Sequence, residues 1–123
     1  MGAAVGANQL DRASALVQAG ADVLVVDMAN GHSILCINTV KELKAKFPQV
    51  DIVAGSIATG EGAEKLIEAG ADGLRCGIGN GSICITRIIA GAGVPQLSAI
   101  FSVAPVCKKY GIPLISDGGV NFI

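Results

Sequence analysis

A nine-residue stretch recurs fifty positions downstream with six of its nine residues identical. Leu16-Val17-Gln18-Ala19-Gly20-Ala21-Asp22-Val23-Leu24 returns as Leu66-Ile67-Glu68-Ala69-Gly70-Ala71-Asp72-Gly73-Leu74. Each copy reads as the end of a helix at Ala-Gly, a turn through Ala-Asp, and the entry to a strand. Glycine supplies the left-handed residue that closes the helix. Similar joints stand at Phe47-Pro48 and at Tyr110-Gly111, where Pro113 bars further helix. A chain punctuated in this way alternates helix and strand. The spacing predicts strands over 2–6, 22–27, 50–55, 73–77 and 112–117. Helices are predicted over 9–19, 34–46, 60–69, 83–91 and 102–110, with a glycine loop after the fourth strand and a short segment near 97–101.

The strands are short and continuously apolar, as in Val23-Leu24-Val25-Val26 and Asp51-Ile52-Val53-Ala54. Such runs are buried on both faces, which points to a parallel sheet with helical crossovers. Helix 34–46 places Ile37, Val40, Leu43 and Phe47 at helical spacing, with Lys41, Glu42, Lys44 and Lys46 on the wet side. Either a doubly wound α/β sheet or part of a (β/α)8 barrel satisfies this pattern.

Composition removes several function classes. Apolar residues make up 51% and charged residues 15%, which excludes a disordered chain. Nine basic against ten acidic residues give a net charge of −1 with no long like-charge run. That argues against nucleic-acid binding and against a polybasic membrane anchor. No apolar run approaches the ~18 residues of a membrane helix. Cys36, Cys76, Cys84 and Cys107 form no CxxC pair and no zinc-ligand rhythm, so a cytoplasmic chain with reduced thiols is expected. With only four aromatic residues, the core must be built from Ala, Val, Ile and Leu. Glycine is unusually abundant at 17 of 123 residues.

In both candidate architectures, ligands bind at the loops that leave the C-terminal ends of the strands. The loop Gly77-Ile78-Gly79-Asn80-Gly81-Ser82-Ile83-Cys84-Ile85-Thr86-Arg87 carries the strongest signal. Alternating glycines let backbone amides and carbonyls face a ligand or ion. Ser82 and Cys84 then open a predicted helix, whose N-terminus favours a thiolate and so a covalent nucleophile. Buried structural roles suit the other three cysteines. Asp117-Gly118-Gly119 follows a strand, where an acid can accept from ribose hydroxyls and glycine admits phosphate. An ordinary Asp-Gly turn explains the same residues. Asp27 ends a strand in the same manner. His32, the only histidine, reads as a polar loop residue.

The segment 77–87 resembles the catalytic loop of the IMP dehydrogenase/GMP reductase family. The resemblance continues through Asp27 to Ser33, Val53-Ala54-Gly55 with Ala58-Thr59, Gly93 to Ile100, and Ile115-Ser116-Asp117-Gly118-Gly119. It implies a partial (β/α)8 barrel of about five parallel strands, with its site at the C-terminal face. In such enzymes the residue matching Cys84 attacks C2 of IMP. Hydride passes to NAD, and water releases XMP from the covalent intermediate. The reductase branch runs a related covalent step, expelling ammonia from GMP with NADPH as reductant. The resemblance makes Thr86 a helper at the reacting centre, Ser82 and Gly119 phosphate contacts, and Asp117 the ribose ligand. It makes Asp27 the acid on the dinucleotide side, and the carbonyls of Gly79, Gly81 and Cys84 a potassium (K+) site. Full-length members are expected to form homotetramers.

Thr86-Arg87-Ile88-Ile89-Ala90-Gly91 with Gly93-Val94-Pro95, and Ile37-Asn38, resemble the dehydrogenase branch. Ala29-Asn30-Gly31 and Ile115-Ser116-Asp117 resemble the reductase. The reading favours the dehydrogenase, with the reductase and an inactive nucleotide-binding fragment as alternatives. One departure stands out: Ser56 occupies a position where the family usually has Asn, which is expected to shorten a polar contact near the base. A complete barrel needs ~250 residues. Residues 1–123 are therefore expected to be an incomplete catalytic barrel domain, lacking the early strands, the last strand and the mobile flap. Its edge strands would be unpaired.

Overall fold

A computed structural model describes residues 1–6, 9–28, 33–76 and 96–116. In chain order these form β1 (Gly2–Val5), α1 (Leu10–Gln18), β2 (Val23–Asp27), α2 (Ile34–Lys46), β3 (Asp51–Ile57), α3 (Gly60–Glu68), β4 (Gly73–Cys76), α4 (Gln96–Tyr110) and β5 (Leu114–Ser116). The strands make one parallel sheet in the order β1-β2-β3-β4-β5. A doubly wound sheet reverses its strand order partway; this sheet does not. Crossovers that always advance in one direction with the usual right hand put every helix on the same face. The described residues are thus a singly wound α/β sheet, the arrangement of a barrel segment.

Register shows how that face is built. Val5 pairs with Val26, Val26 with Ala54, Ala54 with Leu74, and Leu74 with Leu114, so one row crosses all five strands. Val5, Val26, Ala54 and Leu74 in this row are buried, with Ala13 of α1, Val40 and Leu43 of α2, Ala63 and Leu66 of α3, and Val103 of α4 completing the core. The adjacent row, Ala4, Val25, Val53 and Gly73, faces the other side of the sheet. No described helix covers that side, and a groove of about 360 Å³ there is lined by Val23, Val53, Gly73, Pro113 and Ile115 among others.

The three glycine joints share one hydrogen-bond pattern. Gly20, Gly70 and Gly111 take φ of 101°, 111° and 68°. The N–H of Gly20 donates to Val17 O and that of Ala21 to Leu16 O; Gly70 and Ala71 repeat this onto Ile67 and Leu66, and Gly111 and Ile112 onto Lys108 and Cys107. These bonds satisfy the last helical carbonyls. The aspartates of the repeat then tie the new strand to its predecessor. Asp22 N–H donates to Met1 O at 2.8 Å, and its carboxylate accepts from the Met1 amino group at 2.8 Å. That hydrogen bond to a cation, with the cation's charge, holds the Asp22 carboxyl below the usual range. Asp72 N–H donates to Ile52 O at 2.7 Å, while its carboxylate accepts from Ile52 N–H at 2.9 Å and Lys44 Nζ at 2.8 Å. The recurring Ala-Gly-Ala-Asp is therefore a helix stop followed by a strand clamp.

Two expectations change. The short segment near 97–101 and the helix 102–110 are one helix, α4, running through Pro105. Ala99, Val103 and Cys107 are buried at fourfold spacing along it, with Ile100 and Val106 half-buried beside them. That continuous apolar stripe outweighs the one hydrogen bond that an exposed proline removes. Strand β3 runs on to Ile57 rather than ending at 55, with a register shift between Ala54 and Ile57. The predicted helix 83–91 lies outside the described residues. Among the described residues, no helix is long and apolar enough to cross a membrane.

Cys36, Cys76 and Cys107 are buried, as expected of structural thiols. Burial pushes the Cys36 thiol from its ordinary value of 9.0 up to about 11 and also raises the other two.

Two predictions follow from these joints and thiols. A Cβ at position 20 meets nothing within 4 Å, whereas one at position 70 comes within 3.0 Å of Lys44 Cγ. Gly20→Ala is expected to cost about 1–2 kcal/mol for its left-handed backbone. Gly70→Ala should cost more, because Lys44 must also shift from Asp72; equal losses in urea unfolding would contradict this. For Cys36, the folded state keeps its proton where the unfolded state loses it. Stability should therefore fall as pH rises from about 9 to about 11, by roughly 2–3 kcal/mol. The Cys36→Ala variant should lack that part of the alkaline slope.

Candidate functional site

In a singly wound sheet all strands end at one rim. Asp27 is the last residue of β2, Ser56 lies near the end of β3, and Arg75 is next to last in β4. Their side chains meet. Arg75 Nη2 donates to Asp27 Oδ1 and, at 2.9 Å, to Ser56 Oγ. One guanidinium nitrogen carries two N–H groups, so it can serve both acceptors. The Arg75 side chain is 21% exposed and that of Asp27 is 50% exposed, while Ser56 is buried. A largely buried cation here is stabilised by an adjacent anion and a second oxygen acceptor.

Backbone geometry makes this meeting possible. Between Ala54 and Ile57 the chain takes three steps, against two from Leu74 to Cys76 on β4. An extra residue of this kind re-aims a side chain next to a strand end. Gly55 sits at the same point. A Cβ there would lie 2.5 Å from Arg75 O and 2.8 Å from Arg75 Cβ, so only glycine allows β4 this close. Beyond β2, Met28 N–H donates to Gly55 O at 2.9 Å and Ser56 N–H donates to Met28 O at 2.6 Å. The start of the loop after Asp27 is thereby pinned to β3.

Asp27 also borders an open groove of about 320 Å³ with Ala4, Val5, Gly6, Gln9 and Arg12. Gln9 accepts from Gly6 N–H at 2.8 Å and Arg12 Nε donates to Ala4 O at 3.2 Å, so both side chains are held along β1. The groove pairs a carboxylate acceptor with amide and guanidinium donors at a strand-end rim. That donor set fits a polyhydroxylated ligand such as a ribose.

Of the residues singled out from sequence, Asp27 falls among those described, and it stands at the expected strand end. Ser82, Cys84, Thr86, Asp117 and Gly119, and the potassium carbonyls of Gly79, Gly81 and Cys84, lie outside the described residues, as does His32. Among the described residues, β4 ends at Cys76 and β5 at Ser116, both at this rim. Among the described residues no cluster of three or more His, Cys, Asp or Glu could hold a metal ion. Arg75 was not foreseen. Its signal was a lone charge inside the apolar strand Gly73-Leu74-Arg75-Cys76, two residues before the glycine loop.

Comparison with known proteins agrees with this geometry. The family model for the IMP dehydrogenase / GMP reductase domain matches residues 1–123. The chain is 62% identical to a GMP reductase of Leishmania donovani, covering 98% of this chain and 25% of that protein. It is 56% identical to an inosine-5′-monophosphate dehydrogenase of Aquifex aeolicus, covering 99% of this chain and 25% of that protein. A crystal structure of a Trypanosoma brucei GMP reductase variant in complex with guanosine 5′-monophosphate superposes with a TM-score of 0.92 at 60% identity. That match covers 96% of this chain and 25% of the solved one. The chain thus spans about a quarter of the length of these relatives. Its five in-order parallel strands are a segment of their (β/α)8 barrel, and the chain belongs to the IMP dehydrogenase/GMP reductase family of oxidoreductases.

Proposed function

We propose that this chain is the nucleophile-bearing part of a purine nucleotide oxidoreductase that oxidises IMP to XMP with NAD. The family match supports the covalent purine chemistry common to both branches, and Thr86 to Gly91, Gly93-Val94-Pro95 and Ile37-Asn38, which resemble the dehydrogenase, favour that branch. The match runs through residues 77–95 and 117–123 as well as the described sheet, so it includes the glycine loop. In this reading the Cys84 thiolate adds to C2 of the purine, and Thr86 assists there. Water then breaks the C2–S bond. Its oxygen stays on C2 to give XMP, and the thiol is restored. Ser82 and Gly119 hold the phosphate, and Asp117 accepts from the ribose hydroxyls. A bound nicotinamide dinucleotide supplies the acceptor for the hydride lost from C2. Asp27 would hold its ribose, since the half-exposed carboxylate lines the groove beside Gly6, Gln9 and Arg12. Residues 1–123 are then one incomplete barrel domain.

A second reading, reduction of GMP to IMP with NADPH, draws support from the 62% identity to the Leishmania donovani GMP reductase. The same Cys84 chemistry serves it, with ammonia as the leaving group.

Two measurements test these readings. The thiol of Cys84 is expected to be alkylated by iodoacetamide in the native chain and protected by IMP, while buried Cys36, Cys76 and Cys107 react only after unfolding. Alkylation of Cys84 that IMP leaves unchanged would count against both readings. NADH formation from IMP and NAD supports the dehydrogenase; NADPH consumption with ammonia release from GMP supports the reductase. IMP protection without either turnover leaves a nucleotide-binding fragment. Where turnover is seen, Cys84→Ala should lower it at least about a thousandfold, as loss of a covalent nucleophile does.

A further inference from the structure

We propose that Ser56 and Arg75 are positioning residues that fix the Asp27 carboxylate for its ligand. The inference rests on the reading above, in which Asp27 faces a dinucleotide ribose.

Asp27 closes β2 and is 50% exposed on its side chain. A carboxylate on the last residue of a strand, half in water, has rotameric freedom to lose when it binds a hydroxyl. Here that freedom is already restricted, because Oδ1 accepts from Arg75 Nη2. Arg75 is in turn constrained from the far side: the same nitrogen donates to Ser56 Oγ at 2.9 Å. A guanidinium is planar, and two acceptors on one terminal nitrogen fix the direction of both N–H bonds. Ser56 is only 3% exposed and its backbone N–H is bound to Met28 O, so it is a rigid anchor rather than a mobile hydroxyl. Rigidity therefore passes from β3 through β4 to the end of β2.

Ser56 matters for a second reason. A serine hydroxyl is short, and it reaches Arg75 because the chain gains a residue between Ala54 and Ile57 while Gly55 admits β4 to contact distance. The polar contact of Ser56 is thus made to Arg75, which makes the hydroxyl an indirect determinant of the dinucleotide side of the site. Groups held in productive geometry before binding lose less on binding, which is how a residue that never touches the ligand alters affinity.

The test uses the full chain with Ser56→Ala, and with Ser56→Asn as the variant that keeps an acceptor. Nitrogen relaxation of the Arg75 side-chain Nε–H reports its order without any ligand. The side-chain order parameter should fall clearly in Ser56→Ala relative to the parent chain and recover in Ser56→Asn. Affinities are measured with NAD, NADPH and IMP as the probes. The tighter-binding dinucleotide should weaken roughly five- to twentyfold in Ser56→Ala, with IMP within about twofold of the parent. An Arg75 side chain equally ordered in Ser56→Ala overturns the proposal. So does unchanged dinucleotide affinity, or equal weakening of dinucleotide and IMP, either of which makes the contact purely structural. If the parent chain binds IMP but neither dinucleotide, the oxidoreductase reading fails, and the positioning role fails with it.

Discussion

Each strand of this sheet is covered on one face by the helices that flank it in sequence, and always on the same face. The row Val5, Val26, Ala54, Leu74 and Leu114 runs across the five strands beneath those helices. Burial of aliphatic surface along that row is the main stabilising contribution, and it fixes the relative heights of the strands. Strand order then cannot reverse, every crossover has the same hand, and every strand ends at a common rim. The meeting of Asp27, Ser56 and Arg75 at one rim is a consequence of this packing. The opposite face carries Val25, Val53 and Ile115, a set of side chains suited to the interior of a closed barrel.

The two rims are held differently. At the N-terminal rim, aspartates of the repeat clamp backbone to backbone, and Lys44 adds one charge to the Asp72 clamp. Those contacts are built from groups close to a helix stop, and they recur wherever the motif recurs. At the C-terminal rim, a single guanidinium joins the ends of three strands through side chains alone. It occupies the rim from which the glycine loop departs.

Much of this architecture was legible in the residues because its determinants are local. Gly20, Gly70 and Gly111 each close a helix with positive φ, and a helix stop followed by an apolar run is readable without knowing its neighbours. The nature of the sheet was less legible. Periodicity left two α/β architectures open, and only strand order, or resemblance, separates them. Helix α4 was read as two pieces, a short segment near 97–101 and a helix over 102–110; the buried stripe of Ala99, Val103 and Cys107 that makes them one appears only when the helix is placed. Arg75 was missed for a similar reason. Its partners Asp27 and Ser56 lie 48 and 19 residues away, so their meeting depends on register. Ser56 itself was flagged as a departure, but its hydroxyl could be assigned a partner only once the extra residue in β3 was seen.

Gly55 separates two kinds of constraint that sequence comparison usually blends. No side chain fits there while β4 keeps its place, since a Cβ would overlap the Arg75 backbone. That exclusion is steric and owes nothing to any reaction. Asp27, by contrast, stands half in water at a strand end, and what constrains it is charge, as the anion beside the largely buried Arg75 guanidinium. A substitution at 55 is excluded by backbone contact, whereas one at 27 acts through the charge it removes from beside Arg75.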